Sequence, residues 1–215
     1  MGFVKEALMS RRDTDWVRRY WDRSAGAYDR SIGFCEGFML GDGRQWIGRQ
    51  ARGDVLEIGI GTGRNLAAYP ADARLTGLDL SPEMLRRARE RAAEIGRDVE
   101  LSVGDAQKLD YPDDRFDTVV FSLALCSIPD DRAALRQAKR VLRPGGRLVL
   151  IEHVRSPRRW VRAVERALDF FTSRLQGDHL LREPLIHLRQ EGFVIETVAR
   201  SRLGIIERAV ARKPT

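Results

Sequence analysis

Residues 55–63 read Val-Leu-Glu-Ile-Gly-Ile-Gly-Thr-Gly, and residues 75–80 read Leu-Thr-Gly-Leu-Asp-Leu. The first stretch begins with a short, mostly apolar segment and runs into a turn with glycine at every second position. The second stretch is apolar again and ends beside an acidic residue, Asp79. Together they predict a buried strand, a glycine-rich turn and a second buried strand, which is how an open α/β sheet with a ligand site at its carboxyl edge begins.

The chain beyond the second strand keeps alternating between helix and strand signals. Ser81 and Pro82 predict a helix start, because serine caps a first turn and proline fits its first position, and Gly96 predicts the end of that helix. Nearly all-apolar strands separated by helices predict a parallel sheet covered on both faces and connected by right-handed crossovers. Further strands are predicted at residues 99–103, 116–122 and 147–152, and further helical segments at residues 64–69 and 131–142.

The end of the chain departs from this alternation. Residues 193–198 and 205–211 are two strand-like stretches joined by a short turn through Arg202 and Gly204. The turn leaves no room for a crossover helix, so the two strands must pair antiparallel. The sequence therefore predicts a parallel sheet of five strands that ends in an antiparallel hairpin.

The segment before the glycine-rich turn is predicted to be helical. Residues 15–28 form a helical pattern with an aromatic face that breaks at Gly26, and a second helix is predicted over residues 37–50. We find no repeat or linker in the sequence. We therefore expect residues 1–50 to form a helical lid or extension and residues 51–215 to form one sheet domain.

The composition is that of a globular protein. The 215 residues are 43% hydrophobic and 32% charged, which is enough for one domain with a real core. No secretory signal and no apolar run of about 20 residues is found, and two cysteines, Cys35 and Cys126, suit a reducing compartment, so we expect a cytoplasmic protein. The net charge of +7 is compatible with an anionic membrane surface or nucleic acid, but acidic residues are interleaved throughout.

The glycine spacing and the acidic residue before it narrow the choice of ligand. A dinucleotide site has the pattern G-x-G-x-x-G, whereas this turn places glycine at 59, 61 and 63. Glu57 precedes the first glycine, where a carboxylate would repel a pyrophosphate and suits a cationic ligand. S-adenosyl-L-methionine (SAM), which carries an ammonium and a sulfonium group, meets this requirement.

Two further acids follow the ends of neighbouring strands. Asp79 is placed to accept hydrogen bonds from both hydroxyls of a ribose, and Asp105 is placed to meet the edge of an adenine. Taken one at a time, these acids would be ordinary loop residues and the glycines a tight turn. Their occurrence on successive strand ends favours a SAM site.

These motifs resemble those of the class I SAM-dependent methyltransferases, in the methyltransferase-11-like group. Within that group the chain is similar to ubiquinone/menaquinone C-methyltransferases, bacterial phosphatidylethanolamine N-methyltransferases and membrane alkyl-thiol methyltransferases, although it lacks an apolar N-terminal anchor like that of the last. The resemblance runs from Tyr20 to Ala211 and is carried by residues 55–63, 78–84, 104–106, 116–122 and 140–146.

The resemblance implies a Rossmann-like, doubly wound sheet of seven strands in the order 3-2-1-4-5-7-6, with the last strand antiparallel. It also implies SAM as cofactor and S-adenosyl-L-homocysteine as product. No metal is expected, because the sequence has no recognisable cluster of metal ligands. Glu57, Gly59, Gly61 and Gly63 would hold the methionine part of SAM. The ribose and adenine would be contacted by Asp79, Leu80, Met84, Asp105 and Ala106, and Ser122 would approach SAM through its backbone.

Two of the three histidines are candidates for the chemistry. Methyl transfer from a sulfonium is an in-line displacement, so a general base is needed only when the acceptor is protonated. His153, at the end of the fifth strand, is the first candidate, and a structural histidine is the alternative. His179 is predicted to lie in a substrate loop. His187 falls in a helical pattern and is interpreted as structural.

The aromatic residues of the N-terminal segment supply further candidates. Residues 20–29, Tyr-Trp-Asp-Arg-Ser-Ala-Gly-Ala-Tyr-Asp, resemble the N-terminal motif of the quinone and phosphatidylethanolamine methyltransferases. In those families the motif forms a lid over the cofactor. Tyr20 and Tyr28 are therefore predicted to contact SAM, and Tyr28 is also a catalytic candidate. The alternative is aromatic packing alone.

The acceptor is predicted to depend on an insertion at about residues 155–185. Residues 157–175 place apolar side chains at helical spacing with arginines beside them. We interpret this segment as a helix that covers the sheet and the acceptor pocket; the alternative is an interfacial helix that admits lipid-like acceptors from a membrane. The apolar positions are Trp160, Val164, Ala167, Leu168, Phe171 and Leu175, and the arginines are Arg158, Arg159, Arg162 and Arg166.

We therefore predict methyl transfer to a small, apolar or amphipathic acceptor, such as a soluble thiol, phenol or quinone. One alternative is a phosphatidylethanolamine N-methyltransferase, peripheral on the inner face of a membrane. The other is a non-catalytic module that binds SAM or a nucleotide. Nucleic acid is not expected as a partner, because Ser122-Leu-Ala-Leu follows the fourth strand where a nucleic-acid methyltransferase would carry an Asn/Asp-Pro-Pro-Tyr/Phe signature. The sequence leaves the oligomeric state open.

Overall fold

The structure is a computed structural model that describes residues 14–201 and 203–215, with side chains left out for residues 34–38. The beginning of the predicted helical extension, residues 1–13, lies outside the described residues. Arg202 of the predicted hairpin turn and the thiol of Cys35 also lie outside them.

Seven strands form one sheet in the order β3-β2-β1-β4-β5-β7-β6, which confirms the predicted order. Strands β1 to β5 pair parallel to one another. Strand β7 pairs antiparallel with both β5 and β6, so the predicted terminal hairpin is confirmed. The strands are β1 (Asp54–Ile58), β2 (Arg74–Asp79), β3 (Glu100–Val103), β4 (Phe116–Ser122), β5 (Leu142–His153), β6 (Val194–Arg200) and β7 (Ile206–Arg212).

Six α-helices accompany the sheet in the described part of the chain. The predicted start of the third is confirmed, since the Ser81 hydroxyl accepts a hydrogen bond from the Met84 amide at 3.1 Å. Among the described residues, no helix has both the length and the apolar character needed to cross a bilayer. The helices are α1 (Thr14–Leu40), α2 (Gly43–Gln50), α3 (Pro82–Glu94), α4 (Asp131–Val141), α5 (Arg159–Leu175) and α6 (Pro184–Gln190).

The sheet is buried on both faces, as its apolar strands predict. On β5, Leu148 and Leu150 belong to the core on one face, and Val149 and Ile151 belong to the core on the other. Side chains alternate along a strand, so the two residues that end β5, Glu152 and His153, lie on opposite faces of the sheet.

The predicted break at Gly26 is wrong, because α1 continues through it to Leu40. A glycine inside a helix costs about 1 kcal/mol, but tertiary packing usually decides whether a helix forms. Here Val17 and Ala25 are buried, and α1 packs along α3. The interruption comes instead at Gly41, whose φ is +53°, inside the helix predicted for residues 37–50.

Two shorter assignments are also corrected. The helix predicted to start at residues 64–69 is only a 3-10 turn over Leu66–Ala68, because this segment is held by hydrogen bonds of Asn65 and Tyr69 to Glu57. Strand β5 begins at Leu142, within a segment predicted as the end of a helix and a turn, because its first residue already pairs with Phe116 of β4.

The interpretation of residues 157–175 as a covering helix is wrong in its orientation. A helix forms over Arg159–Leu175, but its buried residues are Val161 and Glu165. The predicted apolar stripe faces solvent instead: Trp160 is 63% exposed and Phe171 is 59% exposed, and Val164, Leu168 and Leu175 are each more than half exposed. The helix therefore packs through a narrow face and presents a broad apolar one.

Candidate cofactor-binding site

A cleft with about 670 Å³ of empty volume opens where β1, β2, β3 and β4 reach their carboxyl ends. This is the edge at which open α/β sheets bind ligands. The lining residues of the cleft come from α1, from the loops after these four strands and from the start of α3: Val17, Trp21, Tyr28, Ile58, Gly59, Gly61, Leu78, Asp79, Leu80, Met84, Gly104, Asp105, Ala106, Gln107, Leu123, Ala124, Ser127, Ile128 and Pro129.

The glycine-rich turn forms one wall of the cleft. Gly59, Gly61 and Gly63 all have positive φ, at +71°, +57° and +76°, a conformation that glycine adopts without steric cost. Gly59 and Gly61 line the cleft, whereas Gly63 packs away from it, where a Cβ would lie 3.3 Å from Ala88 of α3. Two of the three predicted glycines thus face the cleft, and the third lets the turn approach α3.

Asp79 holds the glycine turn and the start of α3 together. Its Oδ2 accepts a hydrogen bond from the Gly61 amide at 2.8 Å, and its Oδ1 accepts one from the Ser81 amide at 2.9 Å. Burial raises the pKa of Asp79 to about 6. A carboxylate has about four acceptor positions. The Leu80 amide also donates to this carboxylate, and the remaining acceptor capacity suits a ribose hydroxyl.

Glu57 is buried beneath the turn and does not line the cleft. Its two carboxyl oxygens accept hydrogen bonds from the Asn65 amide at 2.6 Å and from the Tyr69 hydroxyl at 2.8 Å. Burial raises the pKa of Glu57 to about 7. In this geometry Glu57 braces the turn from below, and the predicted contact with the methionine part of a ligand stays a prediction.

Asp105 lines the cleft together with Gln107, a residue that the sequence analysis missed. The Gln107 side-chain amide donates to both Asp105 oxygens, at 2.9 and 3.1 Å, and its oxygen accepts from the Asp130 amide at 3.0 Å. The Gln107 backbone amide also donates to Asp105. This local turn after an aspartate is the one sequence signal that could have drawn attention to Gln107.

Helix α1 is fixed over the cleft by two aspartates. Asp22 accepts a hydrogen bond from the Ser81 hydroxyl at 2.6 Å, at the start of α3. Asp29 accepts one from the Thr62 hydroxyl at 2.7 Å, inside the glycine turn, and forms an ion pair with Arg91. The helix is thereby tied to the two segments that shape the cofactor cleft.

The face that α1 turns toward the cleft consists of Val17, Trp21 and Tyr28. Spacings of four and seven residues place these three on one side of a helix, a signal that could have identified Val17 and Trp21 from sequence. Tyr20 does not line the cleft. It stacks on Trp16 with a centroid distance of 5.8 Å and meets the edge of Trp21 at 5.1 Å.

The opposite wall is the loop of residues 123–129, which follows β4. Leu123 has a φ of +54°, an uncommon conformation for a residue other than glycine. Its amide donates to the carbonyl of Ile151 at 2.8 Å, which anchors the loop to β5. Backbone strain of this kind clusters at ligand sites, and no feature of the sequence around Leu123 predicts it.

The structure thus brings together eight predicted residues at the cleft, and six lie elsewhere. Ser122 ends β4 behind the cleft wall. Burial lowers the pKa of His153 to about 4, so its imidazole is neutral at pH 7. Burial and the Arg182 charge also lower the pKa of His179, whose amide donates to the Cys126 carbonyl. The lining residues are Tyr28, Gly59, Gly61, Asp79, Leu80, Met84, Asp105 and Ala106; the others are Tyr20, Glu57, Gly63, Ser122, His153 and His179.

Comparison with known protein families agrees with this geometry. Residues 56–150, which run from β1 through β5, match the sequence model of a family described as methyltransferase domain. Over these residues, somewhat less than half of the chain, the sequence is similar to methyltransferase domains. The cofactor that follows from this family is SAM, and the acids, glycines and apolar walls of the cleft fit its ribose, its amino-acid part and its adenine.

Named relatives belong to the same group. The chain is 41% identical over 125 residues to a phosphatidylethanolamine N-methyltransferase of Cereibacter sphaeroides, covering 57% of this chain and 62% of that protein. It is 33% identical over 147 residues to a ubiquinone/menaquinone biosynthesis C-methyltransferase of Desulfotalea psychrophila, covering 63% and 57%. The match therefore spans less than two thirds of the length of these relatives.

The fold is shared with solved structures. The YcgJ protein of Bacillus subtilis superposes with a TM-score of 0.66 at 18% identity, covering 80% of this chain and 98% of that one. At this level of identity the likeness establishes the Rossmann-like fold alone, and the acceptor must be argued from the residues of this chain.

A glycine pair tests whether the glycine-rich turn meets the ligand. Gly61 and Gly96 both have positive φ with nothing within 4 Å of an added Cβ, but only Gly61 lines the cleft. We expect Gly61→Ala and Gly96→Ala each to lower the free energy of unfolding by about 1–2 kcal/mol. Only Gly61→Ala should weaken binding of S-adenosylhomocysteine, by about tenfold, as measured by calorimetry. Equal affinities in the two variants would contradict the placement.

Proposed function

We propose that this chain is a SAM-dependent methyltransferase that acts on a small, apolar or amphipathic acceptor and releases S-adenosyl-L-homocysteine. The acceptor we place first is a soluble metabolite with a thiol, phenol or quinone group, methylated in the cytoplasm. Bound SAM would supply an electrophilic methyl group on a sulfonium. The chain's own residues would position the acceptor, hold the two reactants in line and exclude water.

One arrangement carries the proposal: Asp79, the glycine turn and Asp105 converge on one cleft, and α1 is tied over it. A cleft that only bound a nucleotide would not need a lid anchored at two points. A lid suits a reaction in which water must be kept from the reacting atoms. The predicted roles of Tyr28, His153 and His179 in that reaction remain proposals, of which Tyr28 is the one that lines the cleft.

The test is a turnover screen with SAM across thiol, phenol, quinol, amine and phospholipid acceptors, monitored by formation of S-adenosylhomocysteine. We expect turnover with at least one apolar or amphipathic acceptor and none with nucleic acid. If S-adenosylhomocysteine binds but no acceptor class gives turnover, the proposal of a non-catalytic SAM-binding module replaces ours.

The exposed face of α5 favours a second candidate function, methylation of a phospholipid amine by a protein peripheral to a membrane. Trp160, Phe170, Phe171 and Leu175 are each more than half exposed. Arginine side chains lie beside them, and Arg174 stacks on Phe170 at 3.7 Å. An exposed apolar helix face with arginines along it is typical of helices that lie in the interface of an anionic membrane.

A pair of serine substitutions tests this candidate. We expect the unchanged protein to sediment with vesicles of phosphatidylglycerol and phosphatidylcholine, and the Trp160→Ser/Phe171→Ser double variant to lose most of this binding, because two aromatic anchors are removed. Ile95→Ser is the control, since Ile95 is 45% exposed at the end of α3, away from this face. Absence of vesicle binding by the unchanged protein would count against a lipid acceptor.

A further inference from the structure

A buried polar cluster lies directly behind the loop of residues 123–129 that walls the cofactor cleft. Glu152, at the end of β5, is only 1% exposed. Its Oε1 accepts hydrogen bonds from the amides of Ala124 at 2.8 Å and Leu125 at 2.9 Å. Its Oε2 is buried and has no hydrogen-bond partner among the described residues. An unsatisfied carboxylate oxygen in the interior is costly and needs an explanation.

A second carboxyl group approaches the same loop from the other side. The amide of His179 donates to the carbonyl of Cys126 at 2.9 Å, which holds the preceding residue, Asp178, beside this loop. The Oδ1 of Asp178 is also buried and without a hydrogen-bond partner among the described residues. The charges of Asp178 and Glu152 both act to raise the pKa of the buried Cys126 thiol. The two carboxyl groups therefore flank one short segment.

The nearby arginine does not satisfy these oxygens. Arg182 donates its guanidinium hydrogens to the backbone carbonyls of Leu125 and Pro129. Its charge still lowers the pKa of both carboxyl groups, although burial is the larger effect and raises each pKa to about 7. One positive charge thus stands near two acids, and each acid keeps an oxygen free to accept a hydrogen bond.

The cluster lies behind the wall of the cofactor cleft. Ala124 and Pro129 line the cleft. On the far side, a Cβ at Gly177 would lie 3.2 Å from Trp16 and 3.6 Å from Val17 of α1, so the loop before Asp178 packs against the lid. The two acids therefore lie between the lid, the end of β5 and the wall of the cofactor site.

We propose that Glu152 and Asp178 form the acceptor subsite, and that this subsite takes an amine. The inference rests on the proposed methyltransferase function and, between its two candidates, favours the amine acceptor over the thiol, phenol or quinone placed first. An ammonium group has several N–H donors and a positive charge. It can therefore donate hydrogen bonds to both free oxygens and neutralise the excess negative charge. A thiol or a phenol offers one hydrogen and no positive charge.

The same arrangement accounts for the proton. The acceptor's ammonium passes one proton to Asp178, which is partly exposed and can release it to solvent. The freed lone pair of nitrogen then forms the bond to the methyl carbon, as the carbon–sulfur bond of the donor breaks and leaves its electron pair on sulfur. The product departs as the methylated ammonium. Carboxyl groups with a pKa of about 7 are well matched to such a transfer.

The test measures binding of n-hexylamine and n-hexanol by calorimetry to the full chain saturated with S-adenosylhomocysteine. We expect hexylamine to bind at least about tenfold more tightly than hexanol. Asp178→Asn and Glu152→Gln should each lower the affinity for hexylamine by about tenfold or more, because a charged hydrogen bond is lost. Glu165→Gln is the matched control: Glu165 is 8% exposed and accepts a hydrogen bond from the Ser156 amide, outside the cluster.

Affinity for S-adenosylhomocysteine separates this inference from the proposed function. We expect it to stay within about twofold in Asp178→Asn and Glu165→Gln, as for substitutions that leave a site unchanged. If hexylamine binds no better than hexanol, or if Asp178→Asn keeps the affinity for hexylamine, the subsite is wrong while the methyltransferase proposal stands. Because Glu152 also holds the loop, the affinity of Glu152→Gln for hexylamine is interpreted only if thermal unfolding shows that this variant is folded. The affinity of Asp178→Asn is sufficient by itself to test the subsite.

Discussion

Replacement of Asp79 by alanine is expected to weaken binding of S-adenosylhomocysteine by about 1–3 kcal/mol, which is roughly 5- to 150-fold. The acceptor capacity that would meet the ribose is lost. In addition, the amides of Gly61 and Ser81 lose the carboxylate that fixes them at 2.8 and 2.9 Å. The glycine turn and the start of α3 would then move independently of each other, so the affinity should fall even for parts of the ligand that Asp79 does not touch.

The matched control is Asp98→Ala. Asp98 is exposed in the loop between α3 and β3, and its replacement should change the affinity by no more than about twofold. The measurement is isothermal titration of both variants with S-adenosylhomocysteine, together with their thermal unfolding. An Asp79→Ala protein that is folded and keeps full affinity would show that the cofactor has been misplaced.

Substitution of Gly59 by alanine is expected to be the most destabilising single change in the cleft, at about 2–5 kcal/mol. A left-handed backbone costs alanine about 1–2 kcal/mol, and overpacking adds about 1–3 kcal/mol. The second cost arises because the new Cβ would lie 2.6 Å from the Cβ of Ala124. Ala124 cannot retreat freely, since its amide is bonded to the buried carboxylate of Glu152.

The comparison variant is again Gly96→Ala, which has the same backbone conformation and open space around it. The midpoint of thermal unfolding should fall by about 4–20 °C in Gly59→Ala and by only about 2–8 °C in Gly96→Ala. Equal shifts would mean that the wall formed by Ala124 is looser than its hydrogen bonds indicate.

The sheet and the cofactor side of the site could be predicted from sequence because their signals are local. The cap of α3 depends only on Ser81 and Pro82, and the strand ends are marked by apolar runs. The glycines of the turn and the acids at the strand ends also follow directly after their strands in the sequence. Eight of the predicted residues accordingly line one cleft.

The rest depended on contacts between distant segments. Gly26 stays helical because α1 packs on α3, and Glu57 turns toward Asn65 and Tyr69 because the loop folds back beneath it. The orientation of α5 could not be predicted from its spacing, since an apolar stripe at a helical period is the same whether it faces a core or a membrane. The pair formed by Glu152 and Asp178 is brought together only by the fold.

The central claim is that the cleft binds SAM, and titration of the unchanged protein with S-adenosylhomocysteine and with NAD tests it most directly. The account predicts saturable binding of S-adenosylhomocysteine at one site per chain and no measurable binding of NAD, because the glycines at 59, 61 and 63 do not follow the G-x-G-x-x-G spacing of a dinucleotide site. Preference for NAD, or no binding of S-adenosylhomocysteine, would contradict it.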